Sequence, residues 1–224
     1  MNTVFLLGDS TCAYKEADKR PETGWGMCFG HYIDAAWKVK NFARNGRSTK
    51  SFLEEGVFDQ CLTELSEGDA VLIQFGHNDN KEDDARHTDP WSTYQGNLAC
   101  MAEQVLLKQA TPILLTPICR RKFLSDGTLV QTHGEYPQAM LSLCKTRGYW
   151  CLDMTAASFS ILQQMGEASS KQLFLHLGPN EHANYPAGVS DDTHFNEKGA
   201  QVMCSLIVSL LRDQYPQCLF LDVS

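Results

Sequence analysis

The chain has no long apolar run. No stretch approaches the roughly 18 apolar residues of a transmembrane helix, so no membrane partner is expected. The first strand-like run begins at Val4 and Asp9 interrupts it, so no signal peptide is read. Positive charge is in short supply: 19 Lys and Arg against 27 Asp and Glu give a formal net charge of −8. That balance argues against a nucleic-acid partner, and an acidic substrate would need a local basic spot. There is no paired C-x-x-C and no H-E-x-x-H, and the seven histidines are scattered. His176 and His182 fall in one loop but lack further ligands, so no metal is expected. Gly8 to Lys15 lacks the second Gly and the Lys-Ser/Thr of a phosphate loop, and no cofactor is expected. Internal repeats, low-complexity tracts and linkers are also missing.

What is present is ordinary for a soluble globular protein, with 43% hydrophobic and 21% charged residues. The 224 residues suffice for one substantial core, and we read residues 1–224 as a single domain. Nine cysteines is an odd number. Cys61, Cys100, Cys144 and Cys204 fall in apolar helical patterns and read as small core residues. All nine are expected as reduced thiols, in a cytoplasmic protein.

Apolar runs at 4–7, 39–43, 70–75, 111–116 and 149–152 predict five buried strands. Helical spacing predicts helices between them. One carries Trp25, Phe29, Ile33 and Trp37. The next starts at a Ser51–Glu54 capping box. Another is capped by Asp89-Pro90, and two more begin near Tyr136 and Thr155. Lys171 to Ser190 reads as irregular, and a final helix runs from Glu197. Strands alternating with helices imply an α/β fold with a parallel sheet covered on both faces. The common order for five such strands is 2-1-3-4-5, with ligands at the switch point between strands 1 and 3.

The chemistry gathers at the strand ends. Gly8-Asp9-Ser10-Thr11 closes the first strand and offers Ser10 as a nucleophile. Asp191 stands three residues before His194, where it can orient an imidazole that takes the serine proton. Asp192 is expected to point away or to cap the next helix. Tetrahedral oxyanion donors are available from the Ser10 amide, the Gly46 amide and the Asn78 side chain.

These segments resemble the four sequence blocks of the SGNH (GDSL-type) hydrolases. The resemblance implies roles for Ser10, Gly46, Asn78, and Asp191 with His194. Thr11 stands where the family name has Leu. That variant, with Gly24-Trp25-Gly26, Gly46-Arg47-Ser48, Gln74 to Asp79, Thr116-Pro117, Arg120-Arg121 and Asp192 to Phe195, resembles the rhamnogalacturonan acetylesterase branch. It implies a flavodoxin-like, three-layer α/β/α fold. It further implies removal of acetyl groups from pectin-type oligosaccharides through an acetyl-serine intermediate, without cofactor.

Two alternatives stand beside this reading. One is an SGNH lipase or thioesterase, which would want a long apolar groove. The other is a catalytically silent carbohydrate-binding protein on the same fold. For substrate contacts, the aromatic candidates are Trp25, Trp91, Phe123, Tyr136 and Tyr185, with Tyr185 placed to wall the site. Arg120 or Arg121 could hold a uronate carboxylate through two parallel hydrogen bonds. Adjacent residues point opposite ways, so only one should serve; the other could pair with a loop carboxylate such as Asp126.

Overall fold

The computed structural model describes residues 1–221. Five strands form one parallel sheet: β1 (Thr3–Gly8), β2 (Lys38–Asn41), β3 (Ala70–Gln74), β4 (Thr111–Leu115) and β5 (Trp150–Leu152). Their order is β2-β1-β3-β4-β5, as expected. The chain switches direction across the sheet between β1 and β3, which opens a crevice at their carboxyl ends.

Alternate side chains along each strand serve opposite cores. Val4 and Leu6 face one core with Leu72, Ile113 and Leu115. Phe5 and Leu7 face the other with Val71, Ile73 and Leu114. Helices α1 (Thr49–Glu54), α2 (Val57–Glu64), α3 (Gln95–Leu107) and α4 (Tyr136–Arg147) cover the second core. Helices α5 (Met154–Ser170) and α6 (Glu197–Gln214) cover the first. The result is the three-layer α/β/α sandwich. Each fully buried Leu or Phe contributes about 1.5–3 kcal/mol relative to exposure.

Several local expectations are corrected. No α-helix forms over Trp25–Trp37; the segment makes two short 3-10 turns, Trp25–Met27 and Phe29–His31. Its glycines serve contact instead. A Cβ on Gly24 would lie 2.1 Å from the Ala13 carbonyl oxygen, and one on Gly26 2.6 Å from that of Cys12. The capping box of α1 is Ser48 with Ser51, not Ser51 with Glu54. Gly56, at φ +69°, then divides α1 from α2. Asp89 does cap its helix, accepting from the amides of Trp91 and Ser92, with Pro90 in the first turn. Cys61, Cys144 and Cys204 are buried, but Cys100 is exposed.

The segment read as irregular is also structured. It contains β6 (Phe174–Leu177), which pairs antiparallel with β7 (Val189–Phe195). Phe174 and Leu175 are neighbours, whereas their partners Phe195 and Asp191 are separated by Asp192, Thr193 and His194. Those three residues therefore bulge from the ladder. Bulges of this kind re-aim side chains.

Candidate active site

β1 delivers Ser10 by ending in a tight turn. The amides of Cys12 and Ala13 both donate to the Asp9 carbonyl. The Asp9 side chain is buried and accepts from the Thr11 amide at 3.0 Å and its hydroxyl at 2.9 Å. Behind this turn lies a buried polar network. Gln74 Oε1 accepts from Trp25 Nε1 at 2.7 Å and lies 3.3 Å from the Thr11 hydroxyl. Gln74 Nε2 donates to the Thr116 carbonyl at 3.3 Å. Thr11 therefore has a polar job that a Leu could not perform. Trp25 is wholly enclosed and belongs to this support, not to a sugar platform.

The bulge of β7 delivers the candidate base. Ser10 Oγ lies 2.8 Å from His194 Nε2, and His194 Nδ1 lies 2.7 Å from Asp191 Oδ2. Asp191 Oδ1 meanwhile accepts from the amides of Thr193 and His194 at 2.7 and 2.9 Å. One carboxylate thus folds the bulge and orients the ring. With the Nδ1 N–H donating to the Asp191 carboxylate, Nε2 is left to accept from Ser10. Burial opposes the charged forms of both groups. For Asp191 the His194 bonds and charge outweigh it and hold the carboxyl down at about 2. For His194 the Asp191 bond, the Asp191 charge and Glu22 outweigh it and raise the ring above its ordinary value.

Ser10 and His194 line a cleft of about 440 Å³ together with Gly46, Asn78, Asn45 and Thr193. Gly46 sits at φ +75° in a turn closed from the Arg47 amide to the Arg44 carbonyl. A Cβ there would meet nothing within 4 Å, so the backbone angle, not crowding, calls for glycine. Asn78 Nδ2 donates to the Arg47 carbonyl at 3.1 Å, and Arg86 donates to Asn78 Oδ1 at 3.4 Å. Those contacts fix the amide with its nitrogen toward the Gly46 turn, and a second N–H remains on that nitrogen.

Asp79 ties these loops together. Its buried Oδ1 accepts from the Thr49 amide and hydroxyl and from Thr88. Burial, set against those bonds, pushes its carboxyl up to about 7.

The two arginines part company. Arg120 lines the cleft, held by the His77 carbonyl at 2.9 Å and by Thr132. Arg121 turns away: Nη1 meets Asp192 at 2.7 Å, and Nη2 and Nε donate to the Glu167 carbonyl. Its carboxylate is Asp192, not Asp126. Asp192 therefore does not cap α6; Asn196 does, accepting from the Gly199 amide. Tyr185 is not a lining residue. Its hydroxyl donates to the Lys19 carbonyl at 2.9 Å, so it braces the wall from behind. Tyr136 is buried, bonded to the carbonyls of Asp79 and Thr88. Trp91 is exposed and, like Phe123, lies outside the cleft lining.

Sequence reasoning missed the cleft's cations Lys19, Lys81 and Arg86, its carboxylate Glu22, and His77. Only the charged loop after β3 signalled any of them. Among the described residues, no group of three His, Cys, Asp or Glu could hold a metal ion. No helix among them is long and apolar enough to cross a membrane.

The chain is similar to known proteins over most of its length. The chain is 41% identical to the rhamnogalacturonan acetylesterase RhgT of Bacillus subtilis over 204 residues, 91% of this chain and 87% of that one. It is 29% identical to the probable rhamnogalacturonan acetylesterase YesY of the same organism, over 95% and 93% of the two chains. Among solved structures, B. subtilis YxiM superposes with a TM-score of 0.79 at 25% identity. That match covers 95% of this chain and 56% of YxiM, so the chain spans about half of that protein's length. The model of the GDSL-like lipase/acylhydrolase family matches residues 6–202, from the middle of β1 into α6. With the serine turn at one end of that span and the histidine bulge at the other, the chain belongs to the GDSL-like lipase/acylhydrolase family.

Proposed function

We propose that this protein is a serine esterase that removes O-acetyl groups from rhamnogalacturonan-type oligosaccharides. The observation that carries the reading is the continuous run of hydrogen bonds from Ser10 Oγ through His194 to Asp191. Ser10 Oγ attacks the acetyl carbonyl while His194 Nε2 takes its proton. The oxyanion that forms is met by the amides of Ser10 and Gly46 and by Asn78 Nδ2; each such donor is worth roughly 3–4 kcal/mol. His194 then returns the proton to the departing sugar oxygen, leaving acetyl-Ser10. Water, deprotonated by His194, releases acetate and restores the serine.

The cleft's charge supports an acidic sugar. On a chain of net charge −8, Lys19, Lys81, Arg86 and Arg120 line it, against the single carboxylate of Glu22. Arg120 and Lys81 have no carboxylate partner among the described residues. Of the similar proteins named above, RhgT is called a rhamnogalacturonan acetylesterase and YesY a probable one, and a uronate carboxylate fits a guanidinium. The lining includes no Leu, Ile, Val, Phe or Met, which speaks against a long-chain lipase. The complete hydrogen-bonded triad speaks against a silent binding protein.

Two further parts of the reading are proposals of the same kind. Residues 1–224 act as one hydrolase domain, supported by two cores that share one sheet. The enzyme works in the cytoplasm, supported by nine free cysteines; thiol titration of unfolded protein from its native host checks this.

The decisive experiment pairs kinetics with labelling. Ser10→Ala should lose nearly all hydrolysis of p-nitrophenyl acetate and of acetylated rhamnogalacturonan oligosaccharides. A serine-directed phosphonate should modify Ser10 in the wild type. An active Ser10→Ala protein, or an adduct elsewhere, rejects the mechanism; activity only on neutral acetylated sugars rejects the substrate.

A further inference from the structure

Lys15 is one of the least exposed charged residues in the protein, at 1%. It sits in the loop just beyond the Ser10 turn. Its ammonium lies 2.7 Å from Glu22 Oε1 and 2.7 Å from Asn45 Oδ1. Asn45 immediately precedes Gly46, and both line the cleft with Glu22, Ser10 and His194. The backbone around Asn45 is secured separately: the Arg47 guanidinium donates to the Asn45 carbonyl, and the Arg44 amide donates to the Gly8 carbonyl. The Lys15 contact ties this turn by a side chain to the loop carrying the nucleophile. A buried ammonium with no counter-charge would be strongly unfavourable, and Glu22 supplies that charge within the same loop.

We propose that Lys15 is a positioning residue: its ammonium fixes Asn45, and with it the Gly46 amide, against Ser10, while Glu22 cancels its charge beside His194. The inference rests on the triad and oxyanion roles proposed above. It has a geometric part and an electrostatic part, which separate in the variants. The charged and titratable groups facing His194 are Asp191 on β7, Asp9, Lys15 and Glu22 on the β1 side, His77 after β3, and the cleft cations Lys19, Lys81, Arg86 and Arg120. Glu22 favours the imidazolium and Lys15 disfavours it.

Asn45→Ala, which leaves the ion pair intact, should lower kcat by about ten- to a hundredfold through a misplaced donor. Its KM and the acidic limb of its pH profile should stay put. Glu22→Gln leaves Asn45 held but frees the ammonium's charge, so its acidic limb should move to lower pH. Lys15→Met leaves Glu22 unopposed, so its acidic limb should move to higher pH while kcat falls as in Asn45→Ala. The Lys15→Met/Glu22→Gln double variant leaves no buried charge and serves if Lys15→Met folds poorly. Its limb should fall between those of the two single variants, with kcat still low. A wild-type kcat in Asn45→Ala and in the double variant would overturn the geometric part. Limbs that do not move in Glu22→Gln and Lys15→Met would overturn the electrostatic part. The Ser10→Ala enzyme, assayed alongside, separates these outcomes from failure of the triad itself: if it stays active, the triad reading has failed, whatever Lys15 does.

Discussion

The Asp192 carboxylate lies 2.7 Å from Arg121 Nη1, and the same oxygen lies 2.8 Å from His176 Nε2. Its neighbour Asp191 turns the other way, onto His194. Two consecutive aspartates thus divide two tasks across one bulge: Asp191 holds the His194 ring, and Asp192 ties the bulge to the loop after β4. The arginines divide in the same manner, Arg121 to the tie and Arg120 to the cleft.

Asp191→Asn should lower turnover by about 10³- to 10⁴-fold, because an amide can hold the imidazole in the wrong tautomer. Asp192→Asn should leave turnover within a few-fold of wild type. Its tie is half exposed on the Asp192 side, so the loss of stability should be about 1 kcal/mol. Steady-state kinetics and thermal melts of both variants settle the ranking; the reverse order would reassign the pair.

Arg120→Leu should raise KM for an acetylated galacturonate oligosaccharide about ten- to a hundredfold, the value of a charge-assisted contact. Hydrolysis of p-nitrophenyl acetate should hardly change. Arg121→Leu should treat both substrates alike and melt earlier, having lost its bonds to Asp192 and Glu167. Equal treatment of the two substrates by Arg120→Leu would make its role structural.

In the proposed mechanism the pH profile is set by His194. The ring must be neutral to accept the Ser10 proton, so activity is lost as pH falls through its pKa. Burial works to lower that pKa, but Asp191 and Glu22 raise it above the ordinary 6.5. The acidic limb of kcat/KM should therefore lie above that of a free imidazole. In Asp191→Asn the residual activity should have its limb displaced toward acid. A wild-type limb below 6.5 would contradict the assignment.

Asp79 gives a stability test. Burial raises its carboxyl from 3.8 to about 7 in the folded state. The folded protein therefore holds a proton that the unfolded chain has released. That contribution is fully present below pH 3.8 and is lost as pH rises through about 7. Asn resembles the protonated acid and keeps the Oδ1 acceptor used by Thr49 and Thr88. Asp79→Asn should thus gain in melting temperature over wild type at about pH 8 relative to about pH 5. An identical difference at both values would show that Asp79 is charged throughout.

Much of this site was legible because its residues sit at the ends of apolar runs. Val4–Leu7 and Ala70–Phe75 are too apolar to be anything but buried strands, and the residues just beyond each must lie at the sheet's carboxyl edge. Ser10, Gly46 and Asn78 were placed that way. The Trp25 segment misled because its aromatics keep helical spacing while its glycines answer to contacts with Cys12 and Ala13. β7 was hidden because Ser190, Asp191, Asp192 and Thr193 carry no strand pattern; pairing with β6 makes it a strand. Lys15 was invisible for a different reason. A lysine in a polar loop reads as solvated, and its burial depends on Asn45, which is distant in sequence.

The bulge of β7 also makes the proposed base and the carboxylate that orients it a single portable cassette. Asp191 and His194 organise each other within a few residues, and Ser10 meets them only when the two ends of the chain come together. The segment between β6 and β7, residues 178–188, is mostly exposed. A break in the chain there would leave Ser10 on one fragment and Asp191 with His194 on the other. Ester hydrolysis would then report directly on fragment complementation, making the enzyme its own split reporter.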